Sequence, residues 1–242
     1  MIILVLVTAF AAYAIAGAVV AADSNVVGYQ TVGLNASTFK MVGVQFSDIG
    51  ADTGLTLNEL VTGNIPFGTQ IQILKPSGTG YDYYTYLEEA WDDNLGDFVT
   101  GWADGSEEIA TVTLATGKAF WLKAPSACDV SLLGEVLGTN KPISATAKQF
   151  GMIANPYPIT FTLNDISWTG LTYGDQVQVL KPSGSGYDYY TYLEEAWDDN
   201  LGDFVVGWAD GSEEIMTTPI AVGQGFWINP DKAVSANFVT PL

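Results

Sequence analysis

One block of 35 residues occurs twice in this chain. KPSGTGYDYYTYLEEAWDDNLGDFVTGWADGSEEI, residues 75 to 109, returns at 181 to 215 with only Thr79 replaced by Ser185 and Thr100 by Val206. The same offset of 106 residues aligns TQIQIL with DQVQVL and TGKAFWLKAP with VGQGFWINPD. Further upstream, TFKMVGVQF aligns with AKQFGMIANPYP if a loop in the second copy is five residues shorter. A chain of 242 residues, 48% hydrophobic, is long enough for one large domain or two ordinary ones. The duplication decides for two, residues 23–136 and 137–242, with 137–148 as the junction. Gene conversion of the central block, or a ligand or contact surface common to both copies, would each explain why it has drifted least.

Within a copy the hydrophobic period is two, the signature of strands. Ile71 and Ile73 share one face while Gln70 and Gln72 share the other. Tyr81, Tyr83, Thr85 and Leu87 alternate with Asp82, Tyr84 and Tyr86. NVVGYQTVGL, FKMVGVQF, IATVTL, AFWLKA and VSLLGE continue the pattern, and turns such as PSGTG, ADGS and ATGK separate them. The exceptions are LTLNEL and FTLNDI, where Thr56 and Thr162 are placed to cap a helical turn. In each FW pair, Phe120–Trp121 and Phe226–Trp227, alternation sends one ring inward. About seven short strands per copy predict an all-β fold of two tandem antiparallel β-sandwich or open-barrel domains.

Composition excludes much chemistry. There are 27 acidic residues against 8 basic ones, all lysine, with no histidine, giving a net charge of -19. Without histidine there is no imidazole base for a serine or cysteine nucleophile, and the commonest neutral metal ligand is missing. Without arginine there is no bidentate fork for phosphate or carboxylate. A polyanion such as nucleic acid is disfavoured as a partner, because affinity for it comes from lysine and arginine displacing its counterions. The single cysteine, Cys128, cannot form an internal disulfide and reads as a small core side chain.

Residues 1–22, MIILVLVTAFAAYAIAGAVVAA, carry no charge. Val20 and Ala22 stand at the -3 and -1 positions for signal peptidase cleavage after Ala22, which predicts export to the cell surface or beyond. The segment has no lysine or arginine before its apolar run. As a helix of 1.5 Å per residue it would be about 33 Å long, enough to cross a hydrocarbon core, so a retained anchor or filament-assembly helix is the alternative. Any membrane contact would run through this segment.

The repeated block holds 18 of the 27 carboxylates. In WDDNLGDF, Asp92, Asn94 and Asp97 surround a glycine, and Asp198, Asn200 and Asp203 repeat the arrangement. Such oxygen-rich flexible loops suit calcium, although the spacing is not that of an EF-hand. A solvated acidic hairpin accounts for the same residues. Paired carboxylates also raise a glycosidase reading, but two near-identical sites in a small duplicated fold argue against an enzyme. The same block is crowded with aromatics. Tyr84, Tyr86, Trp91 and Trp102, with Tyr190, Tyr192, Trp197 and Trp208, are candidates for a platform on which sugar rings stack; core packing and cross-strand pairing are the competing role.

NVVGYQTVGL directly after the leader, then FKMVGVQF, TLNEL, GTQIQIL, GYDYYTYLEEAWDD, TGKAFWLKAP and LLGEV, in that order, resemble the tandem-domain secreted β-proteins of Verrucomicrobia and relatives that begin with NVVGY. FGMIANPYP also resembles the N-P-Y/F-P turn of exported bacterial β-domains. The resemblance implies export and two β-rich domains, and it transfers no activity and no site residues. The leader departs from that family's usual start in lacking positive charge. The resulting expectation is a noncatalytic extracellular structural or adhesive protein that self-associates, as a filament or surface-layer subunit. A pair of carbohydrate-binding modules acting on an extracellular glycan is the alternative.

Overall fold

The computed structural model describes residues 27–50 and 53–241; the leader, with its expected helix or cleavage site, lies outside them. The chain is all-β, built from antiparallel sheets of which none closes into a barrel. In the first copy the order is β1 (Val27–Leu34), β2 (Lys40–Gly43), β3 (Leu55–Thr56), helical turn α1 (Leu57–Leu60) and β4 (Val61–Thr62). Then come β5 (Gln70–Leu74), β6 (Tyr81–Asp92), β7 (Asp97–Ala103), β8 (Thr113–Leu114), β9 (Ala119–Lys123) and β10 (Cys128–Glu135). The second copy holds β11 (Lys141–Ala145), β12 (Gly151–Ala154), a 3-10 turn (Leu163–Asp165), β13 (Ser167–Thr169), β14 (Gln176–Leu180), β15 (Tyr187–Asp198), β16 (Asp203–Ala209), β17 (Gly225–Asn229) and β18 (Val234–Phe238).

Each copy makes a five-stranded and a three-stranded sheet. The five-stranded orders are β2-β9-β5-β6-β7 and β12-β17-β14-β15-β16, and the three-stranded orders are β1-β10-β4 and β11-β18-β13. From β2 to β5 the first copy is five residues longer than the second copy from β12 to β14, as the alignment requires. β11 pairs along its length with β18, a strand of the second copy, and residues 136–140 run between β10 and β11. IATVTL yields only the two residues of β8, whereas DFVTGWA, not anticipated, is the full strand β7.

Apolar side chains gather in three clusters. Val32, Val44, Leu57, Ile71, Trp102, Phe120 and Leu132 lie in a core formed wholly by the first copy. Ile143, Tyr157, Val177, Trp208, Phe226 and Ala236 lie in one formed by the second. The third joins them: Met41, Ala119 and Trp121 from the first copy pack on Met152, Ala154 and Trp227 from the second. This adds to the expectation for the FW pairs. Phe120 points into its own core, but Trp121 on the opposite face is also buried, because the other copy covers that face. The two tryptophan rings lie 6.4 Å apart.

Polar contacts close the same seam. Gly43 N–H donates to Gly223 O at 2.7 Å and Ala154 N–H to Gly117 O at 2.9 Å, so the free edges of β2 and β12 are each capped by a loop of the other copy. The buried Gln45 Nε2 donates to Tyr157 O at 2.6 Å. Tyr157 sits in the NPYP turn, which the Asn155 carboxamide holds by accepting the Tyr157 N–H at 2.9 Å.

Candidate functional site

The repeated block folds as a long hairpin, β6–β7 in the first copy and β15–β16 in the second, with a bulge between Leu87 and Ala90 and between Leu193 and Ala196. The carboxylates at its tip build the turn. Asp92 Oδ1 accepts from Asn94 N–H at 2.8 Å and Leu95 N–H at 3.3 Å, and Asp97 Oδ1 accepts from Phe98 N–H at 2.8 Å. Asp198, Asn200 and Asp203 repeat this geometry. These acids end the strands and satisfy amides that a tight turn would leave open. Among the described residues no group of three or more His, Cys, Asp or Glu side chains converges on a point where it could hold a metal.

The expected aromatic platform divides. Trp102 and Trp208 are fully buried and belong to the cores, so neither offers a face to a sugar. Tyr86 stacks on Phe67 with ring centroids 5.8 Å apart and meets Trp102 edge-on, and Tyr192 stacks on Tyr173 and meets Trp208 at a tilt. Those rings are engaged within the fold. Tyr190 is also buried. Tyr84 and Trp91, by contrast, line an open pocket.

That pocket, of about 350 Å³, lies beside the first hairpin, between Tyr84, Trp91, Asp92, Asp93 and Asn94 on one side and Asp104, Glu108 and the 109–112 segment on the other. Trp91 Nε1 donates to Asp93 Oδ1 at 2.7 Å, which fixes the indole over the acidic wall. The far wall is held by backbone pairing: Trp91 N–H donates to Glu107 O at 2.9 Å and Ile109 N–H to Trp91 O at 2.8 Å. Asp104 shapes its turn by accepting from Ser106 N–H at 2.8 Å, and Glu107 adopts a positive φ of 64° to complete it. Burial pushes the Tyr84 hydroxyl above its ordinary pKa, and the carboxylates of Asp82 and Asp104 add to that. In the second copy Met216 and Thr218 replace Ala110 and Val112; Met216 is buried, and Thr218 bonds the Tyr190 hydroxyl. The surroundings of the second hairpin therefore differ from those of the first, although the hairpins are nearly identical in sequence.

Sequence reasoning placed Asp93, Asp104 and Glu108 among the acids of the repeated block but not beside Tyr84 and Trp91, because their convergence depends on the fold. It also missed a side chain that holds the hairpin. Asn58 Oδ1 accepts from Trp102 N–H at 2.8 Å while its Nδ2 donates to the carbonyls of Trp102 and Ala110, and Asn164 repeats this with Trp208 and Met216. The recurrence of this asparagine in LTLNEL and FTLNDI was its visible signal. The Thr56 cap forms as expected and is reciprocated by Glu59, whereas the Thr162 hydroxyl donates to the Asp165 carboxylate and Asp165 N–H donates to the Thr162 carbonyl, on a 3-10 turn.

At the hairpin tips Leu95 and Phe98 are 68% and 60% exposed, and Leu201 and Phe204 are 69% and 60% exposed. Large apolar side chains thus stand in solvent at the same place twice. The chain matches no family model, no curated protein and no solved structure.

Proposed function

We propose that this chain is a noncatalytic extracellular or cell-surface protein, structural or adhesive, that presents one contact surface twice and self-associates through it. The observation that carries the reading is the duplicated hairpin tip, where Leu95 and Phe98, with Leu201 and Phe204, are exposed amid carboxylates. Paired apolar patches ringed by charge favour contact with another surface, while the charge keeps the chain soluble until contact is made. Export is supported by the uncharged leader with Val20 and Ala22 before Asp23. The absence of histidine and arginine supports a role without catalysis. Separate core clusters for the two copies support a division into two sandwich domains.

The test replaces all four tip residues, Leu95→Ser, Phe98→Ser, Leu201→Ser and Phe204→Ser. Sedimentation velocity and negative-stain microscopy should show assemblies of the parent chain and folded, dispersed molecules of the variant, with melting lowered by a few degrees because Phe98 and Phe204 each give up an edge-on contact with Trp91 or Trp197. A parent chain dispersed at every concentration, or a variant that assembles equally well, would reject the reading.

A carbohydrate-binding role is the second reading, favoured by the pocket that brings the Trp91 indole beside Asp92, Asp93, Asp104 and Glu108. An aromatic face with carboxylates that accept hydroxyl hydrogen bonds is the chemistry a sugar requires. A glycan array with the parent chain and Trp91→Ala tests it; signals that survive the substitution would place binding elsewhere.

A further inference from the structure

The seam between the copies contains an exchange of small residues that strand alternation does not explain. Gly43 pairs across the ladder with Ala119, and Ala154 pairs with Gly225. By register Gly43 corresponds to Ala154 and Ala119 to Gly225, so each copy has one glycine and one alanine, in opposite places. Neither Gly43 nor Gly225 has the positive φ that would call for glycine. In a strand, glycine packs nothing and is disfavoured.

The contact across the seam supplies the reason. A Cβ on Gly43 would stand 2.3 Å from the Cβ of Ala154, and one on Gly225 would stand 2.4 Å from the Cβ of Ala119. Carbon atoms pack at about 3.5–4.0 Å, so each contact admits one methyl group and no more. Each position faces its own counterpart, as Trp121 faces Trp227.

We infer that this face is keyed: a first repeat accepts a second repeat and rejects its own kind. Two first-type faces in this arrangement would oppose Ala119 to Ala119, and two second-type faces Ala154 to Ala154. Only the mixed pair has one methyl group at both contacts. The partner that fits either face is therefore the opposite repeat, in the same chain or in a second copy of it. An exchange between chains must join first repeat to second, head to tail, which is a heterologous contact able to run on as an open assembly. This inference is independent of the hairpin tips.

Whole-chain variants test it. Ala154→Gly with Gly225→Ala gives the second repeat the first repeat's key, and Gly43→Ala with Ala119→Gly does the reverse. Each pair should melt about 4–10 °C below the parent and lose near-ultraviolet dichroism from Trp121 and Trp227 before the far-ultraviolet strand signal. All four substitutions together restore a mixed key in reversed order and should return melting to within about 2 °C of the parent. Double variants that melt like the parent would overturn the inference. So would a fourfold variant no more stable than the doubles, since each change would then be harmful on its own account.

Discussion

Trp102 and Trp208 occupy the same place in nearly identical surroundings, yet only one has its indole N–H satisfied. Trp102 Nε1 donates to Val61 O at 3.3 Å, whereas Trp208 Nε1 is buried with no hydrogen-bond partner among the described residues. The cause is upstream: Val61 lies in β4, which follows directly from α1, while in the second copy Trp168 packs against Trp208 instead. Trp102→Phe should therefore cost about 1 kcal/mol more than Trp208→Phe, measured by chemical denaturation, since only the first loses a hydrogen bond. A second residue-scale expectation concerns alkaline pH. Tyr84 keeps its proton in the folded chain where the unfolded chain has lost it, because burial and the carboxylates of Asp82 and Asp104 raise its pKa. The unfolded state then binds fewer protons, so stability falls as pH rises above about 10. Tyr84→Phe should flatten that decline in melting temperature, and absorbance at about 295 nm should show one late-titrating tyrosine fewer.

The hairpin is the element that concentrates the acids, and its geometry says what they do. Asp92 and Asp198 accept two turn amides each, and Asp104 and Asp210 brace the turn that follows. With those oxygens engaged, calcium at about 1 mM should leave the melting temperature where a chelator leaves it. Asp92→Ala and Asp198→Ala should each destabilise by about 0.5–1.5 kcal/mol in either condition, through loss of the turn bonds. A calcium-dependent rise in the parent chain, lost in these variants, would instead make the turn a cation site. Of this element, β6 was legible from period-two patterning and WDDNLGDF as a turn, whereas β7 was not anticipated. The bulge at Glu88 and Glu89 was not, and it changes which side chains of the hairpin share a face.

At the scale of the molecule, charge and seam act against each other. A net charge of -19 is held together with few compensating pairs; Lys75–Asp82 and Lys181–Asp188 are exposed at 3.6 Å and contribute little. Raising sodium chloride from about 0.01 M to about 0.3 M shortens the screening length from about 30 Å to under 10 Å, so the melting temperature should rise with salt. A melt independent of salt would mean that the hairpin acids are far enough apart to ignore one another.

The sequence by itself determined the all-β class, the antiparallel strands, the capped helical turn at Thr56, and the duplication with its five-residue deletion. All of these follow from local propensity, alternation and self-comparison. It could not tell which aromatic rings face solvent, because alternation names two faces without saying what lies against either. Tertiary structure decided that Trp102 and Trp208 are core, that Trp121 and Trp227 are sealed between the copies, and that Tyr84 and Trp91 meet Asp104 and Glu108 in one pocket. It also gave meaning to two glycines in ordinary strand conformation. Gly43 and Gly225 are glycine because of atoms more than 100 positions away, which no window along the chain contains.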